Sequence, residues 1–203
     1  TYDTGKIVLN RDFRAVSLNN LVLYDTLYTK EKLGTKEVEN FLSQARPVPI
    51  SSSGMLFLGN YKKYPNGWFY FRLVNEGNVS HRVIIDEDNY IRCDGLEVFT
   101  YKKNKFTHWG KVERTTELTD RPIPFYTYAV PFTINAHDTL DVLIHTKRMY
   151  GIHEVNISLS SEEYFFEKLH AQFFNRIIEI IAIISCILLM ASIGWLFNDS
   201  AML

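Results

Sequence analysis

Trp68, Tyr70 and Arg72 alternate along one short run. A sugar ring stacks its C–H surface on an aromatic face, and neighbouring polar groups take its hydroxyls. In an extended segment, residues two apart share a face. Trp68, Tyr70 and Arg72 then present one face, and Phe69, Phe71 and Leu73 form an apolar one behind it. The competing reading puts Trp68 under a second layer and pairs Arg72 with an acid. Tyr126 and Tyr128 alternate in the same way further on, and Trp109 lies before them in a loop or short strand. Ordinary packing competes with ligand contact there too. Arg121 stands just before Pro122 and Pro124. It either binds a carboxylate or sugar acid or clamps a turn through backbone carbonyls, and the turn is the favoured role.

Asp86, Asp88 and Asp94, with Glu87 and Asn89, make an acidic stretch. Oxygen ligands this dense can hold Ca²⁺. The glycine and closing glutamate of an EF-hand are missing at their spacings, so a solvated acidic turn is favoured. The six histidines make no zinc motif, and no nucleophile elbow or phosphate loop is present. His145 and His153 fall on adjacent strand candidates and could meet across a turn. No cofactor is expected. A net charge of −1 gives no electrostatic case for nucleic acid.

These residues need elements to position them. Aromatics make up 14% of the chain, which favours strands. Short apolar runs at 6–9, 15–18 and 21–24 open it. Thr35 to Gln44 reads as a short helix with Val38, Phe41 and Leu42 on one stripe, broken by Arg46-Pro47-Val48-Pro49. Period-two patterns predict strands at 67–75, 82–86, 95–102, 125–132, 139–146 and 153–159. No long helical pattern separates them, so the expected fold is mainly β: a jelly-roll-like antiparallel β-sandwich over residues 1–160.

Ser160-Ser161-Glu162-Glu163 is a helix-start signature, followed by a helical connector over 161–175. A transmembrane helix is expected over 176–197. Ile177 to Phe197 is apolar except for Glu179 and would span about 30 Å, the thickness of a bilayer core. Trp195 and Phe173-Phe174 sit near its ends, where interfacial aromatics belong. Lys168 and Arg176 precede it and no basic residue follows, a weak positive-inside signal against an external N-terminal domain. Long domains translocate largely regardless of such charges, so the external orientation is retained. Cys93 and Cys186 fall in the domain and the apolar run and do not read as a disulfide. The chain opens on Thr1 without a leader and stops six residues beyond Phe197, with a short tail at 198–203. The expectation is that a leader was removed or that the sequence is a fragment.

The order of short motifs is informative. After the short helix come Gly59, the strand Trp68-Phe69-Tyr70-Phe71-Arg72-Leu73-Val74-Asn75 and then Leu96-Glu97-Val98-Phe99. Asp120-Arg121-Pro122-Ile123-Pro124, Val130-Pro131-Phe132-Thr133-Ile134 and Tyr164-Phe165 follow, before the apolar helix. This order resembles the type-2 extracellular domain of bacterial seven-transmembrane receptors with diverse intracellular signalling modules. The resemblance runs from about Arg11 into the first membrane helix. It implies a sandwich similar to carbohydrate-binding modules, in the periplasm, held by a bacterial inner membrane. It also implies further membrane helices and an intracellular output module such as a histidine kinase or nucleotide cyclase. The expected partners are therefore the bilayer, those helices and that module, a carbohydrate or small-molecule ligand, and a second copy if the receptor is a homodimer.

Three functional readings follow. The first is a sensor domain that moves the membrane helix on binding. The second is a single-pass membrane-anchored carbohydrate-binding or adhesion module without signalling. The third is a periplasmic hydrolase, which needs two carboxylates flanking a cleft and has no motif in its favour. The sensor is the leading expectation, with no enzymatic activity in this chain.

Overall fold

The computed structural model describes residues 2–24, 35–47, 54–87 and 92–200. The chain divides into two compact units, Thr1–Glu162 and Glu163–Leu203. The first opens with strands β1 (Tyr2–Asp3), β2 (Lys6–Leu9), β3 (Ala15–Ser17) and β4 (Leu23–Tyr24), then helix α1 (Thr35–Gln44). Next come β5 (Arg46–Pro47), β6 (Leu56–Asn60), β7 (Asn66–Asn75), β8 (His81–Glu87), β9 (Gly95–Lys102) and β10 (Lys105–Glu113). A 3-10 turn at Leu118–Asp120 precedes β11 (Tyr128–Ile134), β12 (Asp138–Lys147), β13 (Ile152–Val155) and β14 (Ile157–Ser161). Helix α2 (Glu162–Ser200) follows.

The larger sheet runs β1-β2-β7-β12-β9-β10, with β4 joining β7 and β5 joining β4; the second runs β11-β8-β14-β3, and β13 pairs with β6 in a third. Successive strands cross between the two main sheets, β7 in one, β8 in the other and β9 back in the first. This crossing is the jelly-roll-like pattern expected. One pairing departs from the antiparallel rule: β2 runs parallel to β7, Ile7 opposite Leu73.

The inward residues of both sheets form one core. Phe69, Phe71 and Leu73 of β7 pack with Val142 and Ile144 of β12 and Val98 of β9. From the second sheet come Val83, Ile85, Val130, Phe132, Ile157 and Leu159. Each such side chain contributes roughly 1.5–3 kcal/mol by leaving water. The outer face of the larger sheet carries a second core, in which Trp68, Tyr70, Tyr101 and Leu143 pack with Val38 and Phe41 of α1. The helix therefore lies over the face that the alternation of β7 sets opposite the main core.

Several boundaries differ from expectation. β9 matches, and β7, β8 and β12 extend the predicted strands by a residue or two at their ends. The expected strand 153–159 is two strands in different sheets, split at Asn156. There Asn19 Nδ2 donates to Asn156 Oδ1 at 2.8 Å, and the Asn156 N–H donates to Glu87 Oε1 at 3.2 Å. β11 starts only at Tyr128, because Arg121 holds the carbonyls of Phe125 and Tyr126. β6 and β10 were not anticipated as strands. The break at 46–49 lies partly outside the described residues, and Arg46–Pro47 pairs with β4. Residues 201–203 of the tail and Asn89 also lie outside them. Both cysteines are free, Cys93 buried and Cys186 exposed.

In the second unit, α2 is long and apolar enough to cross a membrane. Every side chain over residues 171–193 is exposed, including Ile180, Ile183, Ile187 and Leu188. Both serines of its apolar run are satisfied within the helix. Ser185 Oγ donates to the Ile181 carbonyl and Ser192 Oγ to the Leu188 carbonyl, each at 2.8 Å. Arg176 pairs with Glu179 at 3.0 Å, which offsets the one acid near the start of the apolar run. Internal satisfaction of this kind is what a hydrocarbon environment requires.

Candidate functional site

A cleft of about 440 Å³ opens between the β9–β10 hairpin and the β11–β12 connection. Its size falls within the usual range for small-molecule sites. Thr100, Trp109 and Leu140 contribute to its lining, with Thr107 and Thr133 adding hydroxyls. Lys102, Lys103 and Lys105 come from the hairpin, and Asn135 and Asp138 from the opposite connection.

Local structure explains each position. β9 and β10 pair antiparallel with Lys102 opposite Lys105, so Lys103 and Asn104 form a two-residue turn. Both have left-handed backbone, at φ 48° and 60°. Asn suits that region, whereas Lys pays a steric cost there. The register shifts between His108 and Gly110. A bulge at Trp109 results, and the indole N–H donates to Thr100 Oγ1 at 2.9 Å. Its ring packs against Phe132 at 6.1 Å. A side chain at Gly110 would fall 2.9 Å from Pro122 Cγ, so glycine lets the Arg121-Pro122 turn pack on β10.

The opposite wall is held by Asn75, which is 1% exposed. Its Nδ2 donates to the carbonyls of Val79 and Asn135, both at 2.8 Å, and its Oδ1 accepts from Gly77 N–H at 3.0 Å. Asp138 accepts from the Thr139 N–H at 2.7 Å and pairs with Lys102. Lys103 and Lys105 have no ion-pair partner among the described residues. The cleft thus offers hydroxyls, one amide, an aromatic edge and a surplus of positive charge.

Of the residues singled out from sequence, only Trp109 lines this cleft. Trp68 is 2% exposed and stacked on His145, ring centroids 4.6 Å apart, so its face is closed to a sugar ring. Tyr70 is buried as well, its hydroxyl donating to Asp141 Oδ1 at 2.8 Å, and burial raises its pKa. Arg72 pairs with the same Asp141 oxygen at 2.9 Å. The strand register accounts for these contacts, since Arg72 lies opposite Asp141 and Trp68 opposite His145. The proposed platform is therefore a corrected reading: its two aromatics are core and its cation is paired.

Across β12, His145 faces Glu97 in register. Its Nδ1 lies 3.3 Å from Glu97 Oε2 and its Nε2 3.1 Å from Asn66 Oδ1, while His108 Nε2 reaches Glu97 Oε1 at 3.1 Å. Burial works against ionisation of Glu97, but His145, His108 and Lys111 together outweigh it and hold the carboxyl below its usual range.

Arg121 clamps the turn, donating to the carbonyls of Thr116, Phe125 and Tyr126 at 3.0–3.2 Å. Its guanidinium lies 5.5 Å from the Tyr128 ring centroid. Tyr128 is 3% exposed, and burial above all pushes its hydroxyl up to about 12. Tyr126 is 73% exposed and does not line the cleft.

Two of the three calcium candidates are engaged within the fold. Asp94 is buried against Arg148 at 3.3 Å and Arg114 at 3.6 Å and accepts the Met149 N–H at 2.9 Å. Asp86 accepts from Ser158 Oγ at 2.6 Å. Asp88 lies outside the described residues. Among the described residues no group of three His, Cys, Asp or Glu side chains is placed to hold a metal. His145 and His153 do not form a site either: His153 Nδ1 donates to the Tyr64 carbonyl at 2.8 Å, leaving Nε2 to accept from Thr146 Oγ1 at 2.9 Å.

Sequence reasoning missed the hairpin lysines because neither face of β10 is consistently apolar. The signal was present in Thr100-Tyr101-Lys102-Lys103-Asn104-Lys105-Phe106-Thr107, where Asn marks a turn between two alternating stretches.

Fold and site together define a class: a jelly-roll-like β-sandwich with a cationic end cleft, in a chain that also carries one helix able to cross a membrane. No protein-family model matches this sequence, and no curated protein matches it.

Proposed function

We propose that this chain is the extracytoplasmic ligand-sensing part of a bacterial membrane signalling receptor. The β-sandwich lies in the periplasm, α2 is embedded in the inner membrane, and a carbohydrate or related small molecule occupies the cleft beside Trp109. The signal passes through the helix to an intracellular output module. A ligand does this only by binding one state of the domain more tightly than the other. The domain binds its ligand and does not turn it over.

The observation that carries this reading is α2, an apolar helix exposed over residues 171–193 and in the same chain as a sandwich with an open cleft. The resemblance of its motif order to the type-2 receptor domain is what suggests the signalling half.

The test uses surface labelling. Cys93 is buried, so in a Cys186→Ser background a Tyr126→Cys substitution at a 73% exposed position supplies the accessible thiol on the sandwich. The chain is expected in the membrane fraction after an alkaline wash, with the new thiol modified by a membrane-impermeant maleimide on spheroplasts. Labelling only after the membrane is broken, or recovery of the chain in the wash, overturns the reading.

A further inference from the structure

We propose that the end cleft is specific for an anionic, hydroxylated ligand of monosaccharide size, a sugar acid rather than a neutral sugar. This rests on the reading of the sandwich as a ligand-binding domain and names the class of ligand.

The first observation is charge. The whole chain is close to neutral, with 22 basic and 23 acidic residues, yet three lysines fall within four positions at Lys102, Lys103 and Lys105. All three line one cleft with a single acid, Asp138, which Lys102 engages. Two cations are left to face the opening.

The second observation is conformational. Lys103 occupies a left-handed position, φ 48°, at the first central place of a two-residue hairpin turn. Gly, Asn and Asp dominate there because other side chains crowd the backbone. A lysine at a position that disfavours it points to a use for its ammonium group, and strain of this kind gathers at ligand sites.

The third is the neutral chemistry of the lining. Thr107 and Thr133 are exposed beside the lysines, Asn135 adds an amide, and Trp109 is turned so that its N–H is spent on Thr100. What the indole leaves to a ligand is apolar surface. A bare inorganic anion uses the lysines but neither the hydroxyls nor the ring. A neutral sugar uses the hydroxyls and the ring but not the lysines. A carboxylated sugar uses all three.

The test is calorimetric titration of the full chain in detergent micelles with D-glucuronate, D-glucose and inorganic phosphate. Glucuronate should bind about tenfold more tightly than glucose, the size expected of two exposed cations, and weaken as salt rises. Lys103→Gln with Lys105→Gln should erase that margin while leaving the melting midpoint of the domain no lower. Lys105→Arg should retain the margin. Thr107→Val should weaken glucuronate and leave phosphate unchanged. Equal affinity for glucose and glucuronate overturns the proposal, as does phosphate binding as tight as glucuronate or no glucuronate binding at all. A chain that labels from outside the membrane and binds no glucuronate refutes this inference alone. Failure of the labelling test removes the receptor reading whatever the titration shows.

Discussion

The two ends of strand β9 carry charge in opposite ways. Before its first residue stands Asp94, whose side chain is fully buried against Arg148 and Arg114 and whose backbone bonds Lys147 and Arg114. Nearby, Arg92 pairs with the buried Glu154, and His153 is neutral between Thr146 and the Tyr64 carbonyl. At the far end, Lys102, Lys103 and Lys105 stand exposed around one acid. A buried charge must be matched on site, because water is not there to solvate it. An exposed lysine stays hydrated and needs no partner. Enclosed charge therefore serves the fold, and surplus exposed charge is available to something else.

The largest expected difference comes from matched deletions at the two ends. Asp94→Ala removes the buried carboxylate that Arg148 and Arg114 engage and that accepts the Met149 N–H, and should cost about 3–5 kcal/mol of unfolding free energy. Lys102→Ala removes a half-exposed partner and should cost less than about 1 kcal/mol. Denaturant unfolding of the detergent-solubilised chain, followed by near-UV circular dichroism, compares them. Similar losses would erase the contrast between the ends.

The next effect is in pH. Burial, with Arg148 and His145 adding to it, lowers the His153 pKa from 6.5 to about 4, against the opposing pull of the Tyr64 carbonyl and Asp94. Between those values the unfolded chain takes up a proton that the folded protein refuses, so stability falls as pH drops from 6.5 towards 4. The loss over that window should be roughly 3 kcal/mol, and His153→Asn should flatten it. Glu97 adds a separate decline at lower pH, since its depressed pKa contributes stability that is lost only as its carboxylate protonates. A midpoint that is flat across the window in the unaltered chain would mean that His153 is not held neutral.

The smallest effect sharpens the comparison from the other side. Lys103→Asn puts a residue suited to left-handed backbone into the hairpin turn and should raise stability by about 1 kcal/mol. The same change should weaken glucuronate binding. A gain in stability with a loss in binding is the signature of a residue kept for its charge, and a loss in both would place Lys103 among the structural residues.

Much of the sandwich could be read in advance, and the reasons are local. β7 alternates Phe69, Phe71, Leu73 with Trp68, Tyr70, Arg72, and a strand turns that alternation directly into two faces. α1 showed its apolar stripe, and Arg121 its preference for a turn. β10 was hidden because one face mixes Lys105, Thr107 and Lys111 with Trp109 and the other mixes His108 and Gly110 with Phe106 and Val112, which blurs the apolar alternation. β13 and β14 read as one strand because both are apolar at alternate positions. Only pairing with different sheets separates them.

The site was less legible for a related reason. A tryptophan on an outward face reads as a platform until α1, some thirty residues earlier in the chain, is seen to cover that face with Val38 and Phe41. Asp94 reads as a cation ligand until Arg148, 54 residues away, is found against it.

What chain order dictates here is the class of each segment: alternating strands, one short amphipathic helix and one long apolar one. These follow from periodicity over a few neighbouring residues. The partners of each face follow from contacts between distant segments, and they make Trp68 core, Arg72 paired and Asp94 neutralised. Those same contacts bring Asn135 and Asp138 across from the lysine hairpin, so the cleft exists only once the sheets have paired.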